Sequence, residues 1–417
     1  MRIPGGGEVS PYDRLVWPEG AIEALLASGE RRREVVAYLG EAEYLALQPL
    51  ARAAAQAPRD PQRCVVLVPG IMGSQLGLPR PAPLPDNLLW IDPVDFQQGH
   101  LELLALPGPP IRSLGPVLYS YLPLKLALEA AGWTVRYFDY DWRLDLNDQG
   151  RALAARLAAE TASNLQIIGH SMGGLLGRIA LATPAGARVR RLITLGTPHG
   201  GAYAPVQALR GVYPLIRRVA QLDPQHSAEE LASRVFSTFP SLYQMLPQHS
   251  NPDLGNAASW PCSGPRPRAD MLATSQLPDA TALAGRITCI AGHGFDTVVH
   301  ASLEGGDLRY RVDRNGDGTV PLARATLPGA VTAYAPVGHS ELPRHPQVHA
   351  ALLDLLDGRR CGLASTAPPA YPNAHTYTDA DLRALFTEKI DWAALEPAQR
   401  RHFLDSLNEA KLPLPHS

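Results

Sequence analysis

The spacing of apolar positions changes along the chain, and each change predicts a different element. Across residues 19–56, Ile22, Leu25, Leu26, Val35, Val36, Leu39, Leu45 and Leu47 recur at three-to-four spacing, which predicts helices that Gly29 and Gly40 cut short. Residues 57–62, with Pro58 and Pro61, read as a linker. Cys64-Val-Val-Leu-Val68 then runs apolar without alternation into Pro69-Gly70, the pattern of a parallel strand buried on both faces. From there helices at 124–131, 151–160 and 175–181 alternate with strands at 134–138, 165–168 and 191–195. Such alternation predicts an α/β fold with a mostly parallel, doubly wound sheet.

Residues 202–285 break the rhythm with Pro-rich, partly amphipathic sequence, and strands resume at 287–291, 308–312 and 331–334. An insertion between two sheet strands is how such a fold builds a cap over its site. Val235, Phe236, Phe239, Leu242, Tyr243 and Met245 make this one greasy, fit either for cap core or for presentation to lipid. Beyond the last strand the chain is Pro/Ala-rich at 361–376, then helical near 379–387 and 396–410, with Thr378, Asp379 and Asp381 as a helix start. The expected organisation is therefore a helical N-terminal extension (1–62), a core in two pieces (63–201 and 286–358), a cap (202–285) and a helical tail (359–417).

Composition narrows the classes. The 417 residues are 45% hydrophobic and 19% charged with a net charge of −2, ordinary for an enzyme and without the field that recruits nucleic acid, so no nucleic-acid partner is expected. Cys64, Cys262, Cys289 and Cys361 have no metal-binding spacing and read as free, buried thiols; neither metal nor cofactor is expected. No apolar run approaches the ~20 residues of a membrane span, and the first residues lack the apolar core of a secretory signal. The default expectation is a cytoplasmic protein, with leaderless export left open. Nothing in the sequence fixes an oligomeric state.

The chemistry centres on Gly-His-Ser-Met-Gly at 169–173. G-x-S-x-G alone is a weak signal, but here a strand precedes it and a helix follows, the strand–elbow–helix setting that exposes a nucleophilic serine, Ser171. The base should follow the last strand, where His339 stands in Pro-Val-Gly-His; His345 and His349 are rivals at the start of the next helix. For the acid, Asp296 follows a strand directly, whereas Asp317 lies in a glycine-flanked turn closer in sequence to His339 and is preferred. Asp313-Arg-Asn-Gly-Asp-Gly318 also matches half of a calcium loop, but its twelfth position is Arg324 where a carboxylate is needed. Oxyanion donors are expected from the amides of Met172 and Ile71, the latter in Pro69-Gly-Ile-Met-Gly-Ser74. Met72, Phe239, Tyr243 and Met245 are candidate substrate contacts.

Taken in order, Val66–Leu76, Tyr140-Asp-Trp-Arg143, Ile168–Gly174, Thr194-Leu-Gly-Thr-Pro-His-Gly-Gly201, Gly316-Asp-Gly-Thr-Val-Pro321 and Gly338-His339 resemble the lecithin–cholesterol acyltransferase-like lipases, which include lysosomal phospholipase A. The resemblance implies an α/β-hydrolase fold, a triad at Ser171, Asp317 and His339, oxyanion amides at Ile71 and Met172, and a lipid-like ester substrate with transient lipid-surface contact through the cap. Tyr140–Arg143 reads either as a lid contact or as a buried ion pair, and His199 as a loop-shaping residue. The expected function is ester hydrolysis through an acyl-serine. The alternatives are acyl transfer to an alcohol and, from another class, a non-catalytic binding module on the same fold.

Overall fold

The computed structural model describes residues 9–18, 20–273 and 276–407. Three helices open the chain, α1 (Ala21–Ser28), α2 (Arg32–Leu39) and α3 (Glu41–Gln56), then β1 (Asp60–Val68) enters the centre of the molecule. The core continues through α4 (Leu118–Ala130), β2 (Trp133–Tyr137), α5 (Leu146–Ala159), β3 (Asn164–His170), α6 (Met172–Leu181) and β4 (Val189–Leu195). After the insertion come β5 (Ile287–Gly292), β6 (Val331–Ala335), α7 (Pro346–Leu356) and, near the end, α8 (Pro397–Leu407).

The six strands form one parallel sheet in the order β6-β5-β4-β3-β1-β2. Its interior strands carry apolar runs such as Cys64–Val68 where both faces are covered. Alternation then sorts their side chains: Val66, Val68, Ile167 and Leu192 enter one core, while Val65, Leu67, Ile168 and Ile193 enter the other. The second core also holds Ile22, Leu26, Val35 and Leu39, so α1 and α2 complete a layer of the main fold. Within α3 it is Tyr44 and Leu47 that are buried, whereas Leu45, expected on the same apolar face, is 56% exposed.

Two small antiparallel sheets were not expected. Ser74–Leu78, Asn87–Trp90 and Arg112–Pro116 form one directly after β1. The other corrects two sequence expectations. The strand expected at 308–312 exists as Asp307–Asp313, but it pairs with Thr297–Glu304 and with Ala374–Thr378, outside the main sheet. The Pro/Ala-rich linker thus contains a strand that stitches the tail to the body. Thr378 caps the helix Asp379–Arg383 through a reciprocal box with Asp381, as its sequence suggests, though the helix ends well before 387. Of the helix expected at 396–410, α8 covers 397–407 and the remainder lies outside the described residues.

Helices Ala204–Leu209, Pro214–Leu222, Ala228–Arg234 and Pro240–Gln244 fill the insertion. The six residues of its greasy cluster are all buried, none above 4% exposed. Among the described residues, no large exposed apolar side chain falls within 202–285. The cap in this state therefore turns its apolar face inward, which is the cap-core reading of that cluster. No described helix is long and apolar enough to cross a membrane. The four cysteines are free; Cys64 and Cys289 are buried as expected, but Cys262 is exposed.

Candidate active site

Ser171 occupies the turn between β3 and α6 at φ 51°, ψ −126°, a region that L side chains rarely adopt. Three bonds hold it there. Its N–H donates to the Leu195 carbonyl at 2.8 Å, extending the β3–β4 ladder by one residue, and its carbonyl accepts from Gly174 N–H at 3.0 Å and the Thr197 hydroxyl at 2.9 Å. Gly173 is required by close approach, since a Cβ there would run into the Val68 and Pro69 carbonyls.

His339 begins a short turn just after β6, and its Nε2 lies 2.9 Å from Ser171 Oγ. Its Nδ1 lies 2.7 Å from Asp317 Oδ2, and its backbone N–H donates to the Asp317 carbonyl at 2.7 Å. Asp317 is fully buried, and its second oxygen accepts from the amides of Thr319 and Val320 at 3.0 and 2.7 Å. A carboxylate so occupied accepts from Nδ1–H, which leaves Nε2 as the acceptor for the serine proton. Gly196, at φ 55°, lets the β4 turn pass beneath this pair; a Cβ there would sit 2.7 Å from Asp317 Oδ2.

The rival candidates lie elsewhere. Asp296 is exposed. His345 caps α7, and His349 bonds the Pro343 carbonyl. His199 is buried against Thr194 and Cys289, and burial pushes its pKa down to about 3. Among the described residues, no three His, Cys, Asp or Glu side chains are grouped to hold a metal.

A cavity of about 160 Å³ opens on Ser171 and His339. Ile71 and Met72 line it from the loop after β1, with Met72 at φ 60°, a second strained position facing the serine. Met172 is the first residue of α6, where backbone N–H groups have no intrahelical acceptor and the helix dipole favours negative charge. Met245 lines the cavity as expected; Phe239 and Tyr243 do not. Phe239 packs edge-on against Trp142 and Phe236. The Tyr243 hydroxyl donates to the Ser237 carbonyl at 2.8 Å and accepts from Arg268 N–H at 2.9 Å, so both hold the cap together from within. The walls instead come from Trp90, Ile91, Val117, Tyr213, Leu215, Leu242 and, from α8, Leu407.

Tyr140–Arg143 braces the same loop from behind. The Tyr140 hydroxyl donates to the Pro69 carbonyl at 2.9 Å, Trp142 Nε1 to the Ser74 carbonyl at 3.0 Å, and Arg143 pairs with Asp141 at 2.6 Å. Sequence reasoning also passed over a bridge between the loops. The Tyr121 hydroxyl accepts from Gly70 N–H and donates to His170 Nδ1, both at 2.9 Å, and His170 Nε2–H donates to the His339 carbonyl at 3.0 Å. His170 was visible inside the serine motif, but a fixed neutral imidazole has no spacing signature. Its pKa is pushed down to about 3, first by burial and then by its neighbour His339.

A parallel sheet with the serine on a strained strand-to-helix turn, an acid and a histidine following in that order, defines the architecture. The fold is the α/β-hydrolase fold. A family profile described as PGAP1-like alpha/beta domain matches residues 148–238. Among solved structures, the chain is similar to the mature form of the Bacillus licheniformis lipase BlEst2, at 16% identity over 72% of this chain and 94% of that one, with a TM-score of 0.40. It spans about half, 54%, of the propeptide form of that lipase (16% identity, 76% of this chain, TM-score 0.41). A membrane phospholipase A described as a bacterial virulence factor matches at 12% identity, over 72% of this chain and 81% of that one, with a TM-score of 0.36. No curated protein matches.

Proposed function

We propose that the chain is a serine carboxylic-ester hydrolase acting on a lipid-like ester through an acyl-Ser171 intermediate. The observation that carries this reading is the continuous hydrogen-bonded line from Ser171 Oγ through His339 to buried Asp317, opening on an apolar cavity. His339 Nε2 takes the Ser171 proton as Oγ attacks the ester carbonyl carbon. The oxyanion that forms is held by the amides of Ile71 and Met172, and His339 returns the proton to the departing alcohol. Water then repeats the sequence to release the acid. Asp317 keeps the imidazole in the required tautomer and stabilises its cation.

The apolar walls support an acyl chain over a polar substrate, in keeping with the resemblance to lecithin–cholesterol acyltransferase-like lipases. Ser171→Ala is expected to lower kcat on p-nitrophenyl esters by about a million-fold, and Asp317→Asn by roughly ten-thousandfold. A fluorophosphonate probe should label wild type at Ser171. Full ester hydrolysis by the Ser171→Ala protein, or failure of the probe to label wild type, would reject the reading.

A further inference from the structure

Beside the cavity at Ser171 lies a second, larger one of about 270 Å³. Ile91 and Val117 line both, so the two cavities share a wall. The last helix runs along the pair. Leu404 lines the second cavity and Leu407, three residues on and on the same helix face, lines the first. On the far side Ala37 of α2 lines the second cavity from an exposed position. The second cavity thus draws much of its lining from the N-terminal segment and the tail, which supply none of Ser171, Asp317 and His339.

Size and chemistry both bear on the occupant. The first cavity alone is smaller than the ~300–1,000 Å³ of sites that bury a small organic ligand, and joined to the second it enters that range. The cations at the second cavity are already engaged. Arg401 donates to the Tyr38 carbonyl at 2.8 Å and to Asp405 at 3.2 Å, while Arg400 donates to the carbonyls of Trp392 and Ala393 at 3.1 and 2.9 Å. Asp405 pairs with Arg401 and offsets one of the two positive charges, and the rings of Tyr12, Tyr38 and Tyr119 with Leu88, Pro397 and Leu404 make most of the remaining lining apolar, which favours a hydrocarbon.

We propose that the second cavity takes the far end of a long acyl chain whose ester carbonyl lies at Ser171, entering past Ile91 and Val117. This deepens the proposed function, on which it rests, by naming the substrate class as esters of long-chain acids. Each methylene taken from water is worth about fourfold in affinity, so a chain that reaches the second cavity gains strongly over one that stops short of it.

Ala37→Trp and Leu404→Trp each place an indole in the second cavity. Both are expected to lower the ratio of kcat/KM for p-nitrophenyl dodecanoate over butanoate by about tenfold. Calorimetry on the Ser171→Ala protein should show dodecanoate binding that either substitution weakens by a similar factor. An unchanged ratio, unchanged dodecanoate affinity in the substituted proteins, or no dodecanoate binding at all would overturn the proposal. Should wild type hydrolyse neither ester, the proposed function falls and the dodecanoate titration alone decides the role of the cavity. Ala37→Trp lies at an exposed helix position and keeps the test open if Leu404→Trp does not fold.

Discussion

Ser171, His339 and the loop at Gly70 arrive from three separate segments, and Tyr121 with His170 ties them together. Removing the Tyr121 hydroxyl leaves a buried Gly70 N–H and His170 Nδ1 unpaired, each costing about 1–3 kcal/mol. Tyr121→Phe is therefore expected to lower the urea midpoint and to reduce kcat on a p-nitrophenyl ester about tenfold, with KM little changed. A midpoint that falls while kcat holds would make the bridge structural only. This part of the site was unreadable beforehand because the partners are remote in sequence and act through a backbone carbonyl and a backbone amide. That Ser171, Asp317 and His339 would be brought together was legible, because a strained turn demands glycines around it and the loop after the last strand reaches that turn. Between Asp296 and Asp317 the glycine-flanked turn was the better guide, since it is that turn which aims two amides at one carboxylate oxygen.

At the scale of elements, the strands of the main sheet were readable wherever burial on both faces wrote a continuous apolar run, as in Cys64–Val68. The strand Ala374–Thr378 was not, because Ala-His-Thr-Tyr-Thr is neither apolar nor clearly alternating and its partner lies more than sixty residues away. What fixes the tail there is Asp379. Its carboxylate accepts from Arg210 Nε at 2.6 Å and from the Tyr310 hydroxyl at 2.7 Å, joining tail, cap and small sheet in one buried contact. Asp379→Ala takes the close carboxylate from the fully buried Arg210 guanidinium and leaves only Asp307 at 3.8 Å, and breaking such a pair costs about 3–5 kcal/mol. The expected result is a urea midpoint lowered accordingly and faster proteolysis of the tail beyond 360. If instead Asp379→Ala unfolds with wild-type midpoint and the tail stays protected, the ion pair is not what anchors it.

For the molecule as a whole, stability against pH is set by buried groups of opposite leaning. His170 and His199 have folded pKa values pushed from about 6.5 down to about 3 by burial, so each contributes stability that is present above pH 6.5 and lost as pH falls. Asp92 leans the other way. Burial raises its carboxyl to about 7, with neighbouring Asp95 and Asp13 adding to the rise, so its contribution is present below about pH 4 and lost as pH climbs towards 7. Between pH 8 and pH 5 each histidine withdraws on the order of 2 kcal/mol and Asp92 returns a similar amount, leaving the wild-type curve flatter than either group alone would make it. Single substitutions should expose the balance by tilting the curve in opposite directions. His199→Gln is expected to raise stability at pH 5 relative to pH 8, and Asp92→Asn, which keeps an acceptor for Val94 N–H, to lower it. Urea midpoints for the three proteins at the two pH values measure the tilt directly. Parallel shifts in both variants, with no change of slope, would show that these groups titrate alike in the folded and unfolded chain and that the balance lies elsewhere.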